Sequence, residues 1–118
     1  MREPRLKSQV AEFTSSGVRE AFYQCPLNCR TKVVLIYFVN ANGTVDLDFE
    51  WYRASDDVHY YIFSQKNLSE SETVQPFSEN FIILDPGDKL EITLTGTTPQ
   101  VDAICTLEET FFSNSPAS

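Results

Sequence analysis

Apolar and polar positions change register several times along the chain, and the sharpest change lies in residues 32–53. Lys32-Val33-Val34-Leu35-Ile36-Tyr37-Phe38-Val39-Asn40 is apolar at almost every position and rich in β-branched and aromatic residues. Such a run suits a strand covered on both faces. After Ala41-Asn42-Gly43-Thr44 the pattern becomes strict alternation, with Val45, Leu47, Phe49 and Trp51 on one side and Asp46, Asp48, Glu50 and Tyr52 on the other. Period two predicts a strand with one dry face and one wet face. Asn42-Gly43 is a strong short turn signal, because both residues tolerate positive φ, and it predicts a hairpin joining the two arms.

The same reading extends outward. Residues 10–14 predict a short edge strand, and 18–24 a strand stopped by Pro26. Residues 58–64 predict an aromatic strand. Residues 66–78 are polar and predict a long connection with a short strand at its start. Residues 80–84 predict another apolar strand. Asp85-Pro86-Gly87-Asp88 places Pro and Gly where a type II turn needs them. Leu90, Ile92 and Leu94, then Val101, Ala103, Cys105 and Leu107, point inward from two alternating strands. No segment sustains a helical period, and no long crossover separates the strands, so the sheets are expected to be antiparallel. The fold class is all-β: an antiparallel sandwich of about eight strands, in jelly-roll or immunoglobulin-like order. Residues 1–9 are expected as an extended N-terminal arm, 10–112 as one sandwich domain, and 113–118 as a C-terminal tail.

Composition bounds the function. At 118 residues the chain has the length of one domain and can bury a core without disulfide or metal. Its net charge is -8 and its pI about 4.5. An acidic body repels phosphate backbones, so nucleic-acid binding is not expected, and no stretch reaches the length of a membrane span. The opening residues, Met1 to Lys7, are polar and lack an apolar secretion core. Synthesis and folding in a reducing cytosol are therefore the expectation.

Candidate chemistry is sparse. The three cysteines are Cys25 and Cys29, spaced as Cys-Pro-Leu-Asn-Cys, and the distant Cys105. With His59 the single histidine, they fall short of a usual zinc set, and no metal is expected. Reduced thiols are the plain reading, and a Cys25 or Cys29 bridge to a neighbouring subunit is the other. His59 lies in a strand, away from any nucleophile elbow, and predicts a structural or surface histidine. Asp46, Asp48 and Glu50 form a column with steps of about 7 Å. That column suits a solvated face, with a cation or a glycoside-hydrolase carboxylate pair as the chemical alternatives. Trp51, Tyr37, Tyr52, Tyr60 and Tyr61 could stack on sugars, but a sandwich core uses the same residues. No phosphate-cradling glycine loop is present, and no cofactor is expected.

Residues 1–9 hold Arg2, Arg5 and Lys7, three of the nine basic residues. They read either as a frayed terminus or as a tether that orders on a partner. Phe111-Phe112 near the other end need cover.

The order Tyr60-Tyr61-Ile62, Asn67-Leu68, Ile83-Leu84-Asp85-Pro86-Gly87-Asp88-Lys89-Leu90 and Val101-Asp102 to Leu107-Glu108, behind the apolar 32–53 stretch, resembles small β-sandwich structural proteins of tailed bacteriophages. The resemblance spans roughly residues 18–109, and the Cys25–Cys29 segment departs from it. It implies a non-enzymatic virion component, a neck, collar or tail accessory coat, or alternatively a head decoration (cement) protein. A carbohydrate-binding host-attachment module is a further alternative. It implies partners among neck, tail or capsid subunits, homo-oligomerisation, and location in the virion after synthesis in the host cytoplasm. Arg2, Arg5, Lys7, Phe111 and Phe112 are then the expected inter-subunit contacts.

Overall fold

The structure, a computed structural model, describes residues 3–77 and 80–112. Among the described residues nine strands appear, in the order β1 (Arg5–Phe13), β2 (Arg19–Gln24), β3 (Cys29–Asn40), β4 (Val45–Arg53), β5 (Val58–Leu68), β6 (Thr73–Val74), β7 (Ile82–Leu84), β8 (Lys89–Thr95) and β9 (Val101–Phe111). One sheet runs β1-β9-β3-β6, with β7 also on β3; the other runs β2-β8-β4-β5. All strand pairs are antiparallel. With β6 and β7 taken as one interrupted strand, the pairings nest: β1 with β9, β2 with β8, β3 with β6 and β7, and β4 with β5. A long hairpin rolled onto itself gives this order, so of the two expected topologies the chain adopts the jelly roll.

That order corrects the expected 32–53 hairpin. β3 and β4 belong to different sheets and do not pair. Asn42-Gly43, with Gly43 at φ 63°, carries the chain across the sandwich instead. The buried Asn40 amide fixes this crossing by donating to the carbonyls of Gly43 (2.6 Å), Leu68 (3.1 Å) and Ser69 (3.0 Å). A buried polar side chain is tolerated when its donors are matched in this way.

The core lies between the sheets. Val45, Leu47 and Phe49 are buried as the alternation predicts, and each contributes roughly 1.5–3 kcal/mol by leaving water. Phe49 meets Phe38 of the opposite sheet edge-on at 4.9 Å between ring centres. Trp51 is only partly buried, and its indole Nε1 donates to Asp88 Oδ2 at 3.0 Å. The 85–88 turn forms as expected: Gly87 has φ 84°, and the Asp88 N–H donates to the Asp85 carbonyl at 3.0 Å.

Two further expectations change. The arm expected at 1–9 is sheet from Arg5 onward, since β1 pairs with β9 from Arg5–Glu109 to Phe13–Val101. β3, expected to be covered on both faces, buries only its inward row; Val34 is 37% exposed on the other side.

Candidate functional site

Charged and reactive side chains gather in three places. The first is the end of the sandwich where β1 and β3 begin. The inward row of β9 runs Val101, Ala103, Cys105, Leu107 and then Glu109, all buried. A carboxylate in that row needs partners to offset lost hydration. Tyr23 of β2 donates its hydroxyl to Glu109 Oε2 at 2.5 Å, and the same hydroxyl lies 2.8 Å from Thr31 Oγ1. Arg5 Nη2 reaches Glu109 Oε1 at 3.2 Å, and Lys7 Nζ lies 3.9 Å from Oε2. The Arg5 guanidinium also sits 4.9 Å from the Phe111 ring centre. Burial first, and the Glu109 hydrogen bond second, push the Tyr23 phenol above its ordinary range.

Arg5, Lys7 and Phe111, expected to meet a partner, are thus brought together against their own sheet. Phe112 stands apart, its N–H donating to the Asn28 carbonyl at 2.9 Å and its ring 5.8 Å from the Arg30 guanidinium. Arg2 and the 113–118 tail lie outside the described residues.

Cys25 and Cys29 occupy the same end, both buried and unpaired as thiols. Cys25 Sγ donates to the Cys29 carbonyl at 3.2 Å and lies 3.3 Å from Thr31 Oγ1. Burial pushes its thiol up to about 11, and Cys105 up to about 12. Thiols held protonated are weak nucleophiles. A bridge from Cys25 or Cys29 to another subunit would first require the 25–29 turn to open.

The second place is the outer face of the β2-β8-β4-β5 sheet. Glu50 of β4 and Glu91 of β8 stand directly opposite in register, both buried. Arg19 of β2 grips Glu50 with Nε at 3.0 Å and Nη2 at 3.2 Å. His59 of β5 places Nδ1 2.7 Å from Glu91 Oε1 and Nε2 3.4 Å from Arg19 Nη1. The tautomer with the proton on Nδ1 satisfies both contacts, donating to Glu91 and accepting from Arg19. Atoms of Glu50, His59 and Glu91 lie within 4.8 Å of one another, a spacing a divalent cation accepts. Arg19 already supplies the positive charge there, and the Glu50 hydrogen bond raises the Arg19 pKa.

The acidic column expected to be solvated is therefore only partly so. Asp46 Oδ1 accepts from Asn67 Nδ2 at 2.9 Å and Asp48 Oδ1 from the Gln65 N–H at 2.6 Å, while Glu50 is covered. No local spacing announces the Arg19–Glu50–His59–Glu91 group, because its members come from four strands whose register only the fold fixes.

The third place is the outer face of the β1-β9-β3 sheet, which holds two depressions. One, of about 220 Å³, is lined by Arg30, Lys32, Ile83, Glu108, Thr110 and Phe112. The other, of about 460 Å³, is lined by Val10, Ala11, Glu12, Asp102, Ala103 and Ile104.

No protein-family model and no curated protein sequence matches this chain. Solved structures do. A chain of the T13 particle of infectious bursal disease virus overlays at TM-score 0.61 and 14% identity, covering 96% of this chain and 32% of the viral one. This chain thus spans about a third of that viral protein's length. The capsid of Helicobacter pylori bacteriophage KHP30 contains a chain that overlays at TM-score 0.60 and 8% identity, covering 94% of this chain and 97% of its own length. A subunit of the disulfide-linked pili of Bacillus endospore appendages overlays at TM-score 0.58 and 10% identity, with 96% and 92% covered. At these identities the likeness is one of fold.

Proposed function

We propose that this chain is a non-enzymatic structural subunit of a virion, used in many like copies beside other virion proteins. The observation that carries the reading is the nearly end-to-end overlay on a chain of the KHP30 capsid, 94% of one length on 97% of the other. A sandwich serves many purposes, so the chain's own chemistry matters equally. His59 is held between Glu91 and Arg19, the thiols are buried, and the Asp46, Asp48, Glu50 and Glu91 carboxylates of the second sheet each have a partner. These are arrangements of a rigid block rather than of a poised nucleophile or base. The net charge of -8 opposes nonspecific aggregation of free subunits before assembly.

The chain's place in the particle is, in the first reading, the neck, collar or tail, following the resemblance carried by residues 18–109. The capsid neighbour favours the second reading, decoration of the head. Neighbouring subunits would touch Arg5, Lys7 and Phe111, and separately Phe112; the Arg5 and Lys7 side chains keep 66% and 45% of their surface exposed. Immunogold labelling of purified particles with an antibody to this chain tests the reading. Gold on the neck or tail supports the first placement and gold on the head the second, while particles without gold overturn both.

A further inference from the structure

The two outer faces of the sandwich differ in kind. The face of β2-β8-β4-β5 centres on the Arg19–Glu50–His59–Glu91 group, with Tyr61 exposed beside Glu50. The face of β1-β9-β3 leaves apolar side chains in the open: Leu6 is 69% exposed, Val10 70%, Ile104 41% and Val34 37%. Val10, Ile104 and Tyr37 are neighbours in register across β1, β9 and β3, so they form a continuous band over three strands. β3 has the sequence of a strand with two dry faces, and its own chain dries only one of them.

Charge is distributed unevenly on the two sides of this band. Towards the start of β3, Lys32 stands opposite Glu108 and Arg30 places Nε 3.2 Å from Asp85 Oδ1; both bases line one depression, and Lys32 carries the charge contrast. Towards its end, Glu12 and Asp102 line the other, with no base among them. Lys32 pairs with Glu108, and Asp102 lies six residues back along β9, so the two ends stand about 20 Å apart.

We propose that this face joins two copies of the chain, packed sheet to sheet about a two-fold axis. The axis lies in the plane of contact and runs across the strands, close to the Val10–Ile104–Tyr37 band. That operation lays each band on its partner's band. It also reverses strand direction, so the Lys32 end of one copy covers the Glu12 and Asp102 end of the other. An axis along the strands would set base on base and acid on acid. Two-fold contacts are self-complementary in this sense, and aligned packing of twisted sheets accommodates them. The proposal deepens the assembly reading above and rests on it for a setting in which like copies meet.

Sedimentation velocity of the full chain, from about 1 μM to about 1 mM, tests it. The expected result is a reversible dimer. Ile104→Lys weakens the dimer at least about tenfold, and so does Lys32→Glu, whereas Lys32→Glu combined with Asp102→Lys recovers most of the loss. Circular dichroism of each variant checks that these surface changes leave the sheets intact, and Asp102→Lys alone gives a second weakened variant if one of the others does not fold. A chain monomeric throughout the series overturns the proposal, as does a dimer indifferent to Ile104→Lys and to the charge exchange. A monomer found in particles would remove this contact and leave the virion role, whereas a dimer of the stated kind missing from particles would do the reverse.

Discussion

Tyr23 and Glu109 lie 86 residues apart and share a 2.5 Å hydrogen bond that ties β2 of one sheet to β9 of the other. It is a charge-assisted bond between buried groups, and among the described residues the cationic partners of the Glu109 carboxylate are the partly exposed Arg5 and Lys7. Tyr23→Phe removes the donor and leaves the carboxylate short of a partner. The expected cost is about 1.5–3 kcal/mol, read from urea unfolding. An unchanged midpoint would mean that Arg5 and Lys7 suffice for Glu109.

Stability is expected to fall in alkali. An unfolded thiol ionises near 9, whereas Cys25 holds its proton to about 11 and Cys105 to about 12 because both are buried. Above pH 9 the unfolded chain therefore binds fewer protons than the folded one, and unfolding becomes easier as pH rises. The protection is complete below pH 9 and is lost as pH climbs through 11 and 12. Each thiol contributes a slope of about 1.4 kcal/mol per pH unit in that window, and the raised Tyr23 phenol adds to it above pH 10. Urea titrations at pH 8, 9.5 and 10.5 measure the slope. Cys105→Ala should make it shallower, and equal slopes would count against burial as its cause.

Arg19 is expected to matter through the carboxylates it serves. Its side chain is 47% exposed while that of Glu50 is only 4% exposed, so the pair lies between a screened surface bridge and a buried one. Arg19→Ala should cost about 1–3 kcal/mol by stranding Glu50 beside Glu91. Arg19→Leu with Glu50→Leu should recover most of that loss, because no unpaired charge is left behind. Thermal unfolding of the single and double variants decides between the two, and a double variant worse than the single one contradicts the account.

Asp88 should prove as costly to truncate as a core residue. Its two oxygens accept from Trp51 Nε1, the Ala54 N–H and the Asp85 N–H, each at 3.0 Å. Asp88→Ala strands three donors and should cost roughly 3 kcal/mol or more. Trp51 is the only tryptophan, so loosening of the turn should appear as a red shift of its emission. An unshifted spectrum would show that the indole is held by packing alone.

Much of this fold is legible where pattern is local. The dry row Val45, Leu47 and Phe49, the strands around Leu90 to Leu94 and Val101 to Leu107, and the Pro86-Gly87 turn can all be read from neighbouring residues. Asn42-Gly43 misleads because positive φ serves a crossing between sheets as well as a hairpin, and only partner choice distinguishes them. β1 is hidden for another reason: Arg5 and Lys7 occupy inward positions at a sheet edge, so their charge masks the period of the strand. The Arg19–Glu50–His59–Glu91 group and the Tyr23–Glu109 bond are set by register between strands distant in sequence, which composition and spacing do not encode. The open face of β3 is legible after all, as an apolar run longer than one core can cover.

The most direct measurement is the protein content of density-gradient-purified particles from cells that make this chain, determined by peptide mass spectrometry. The account predicts peptides of the chain banding with the particles at a fixed ratio to the major coat protein. Peptides confined to the soluble fractions, with none in the particle band, would contradict it.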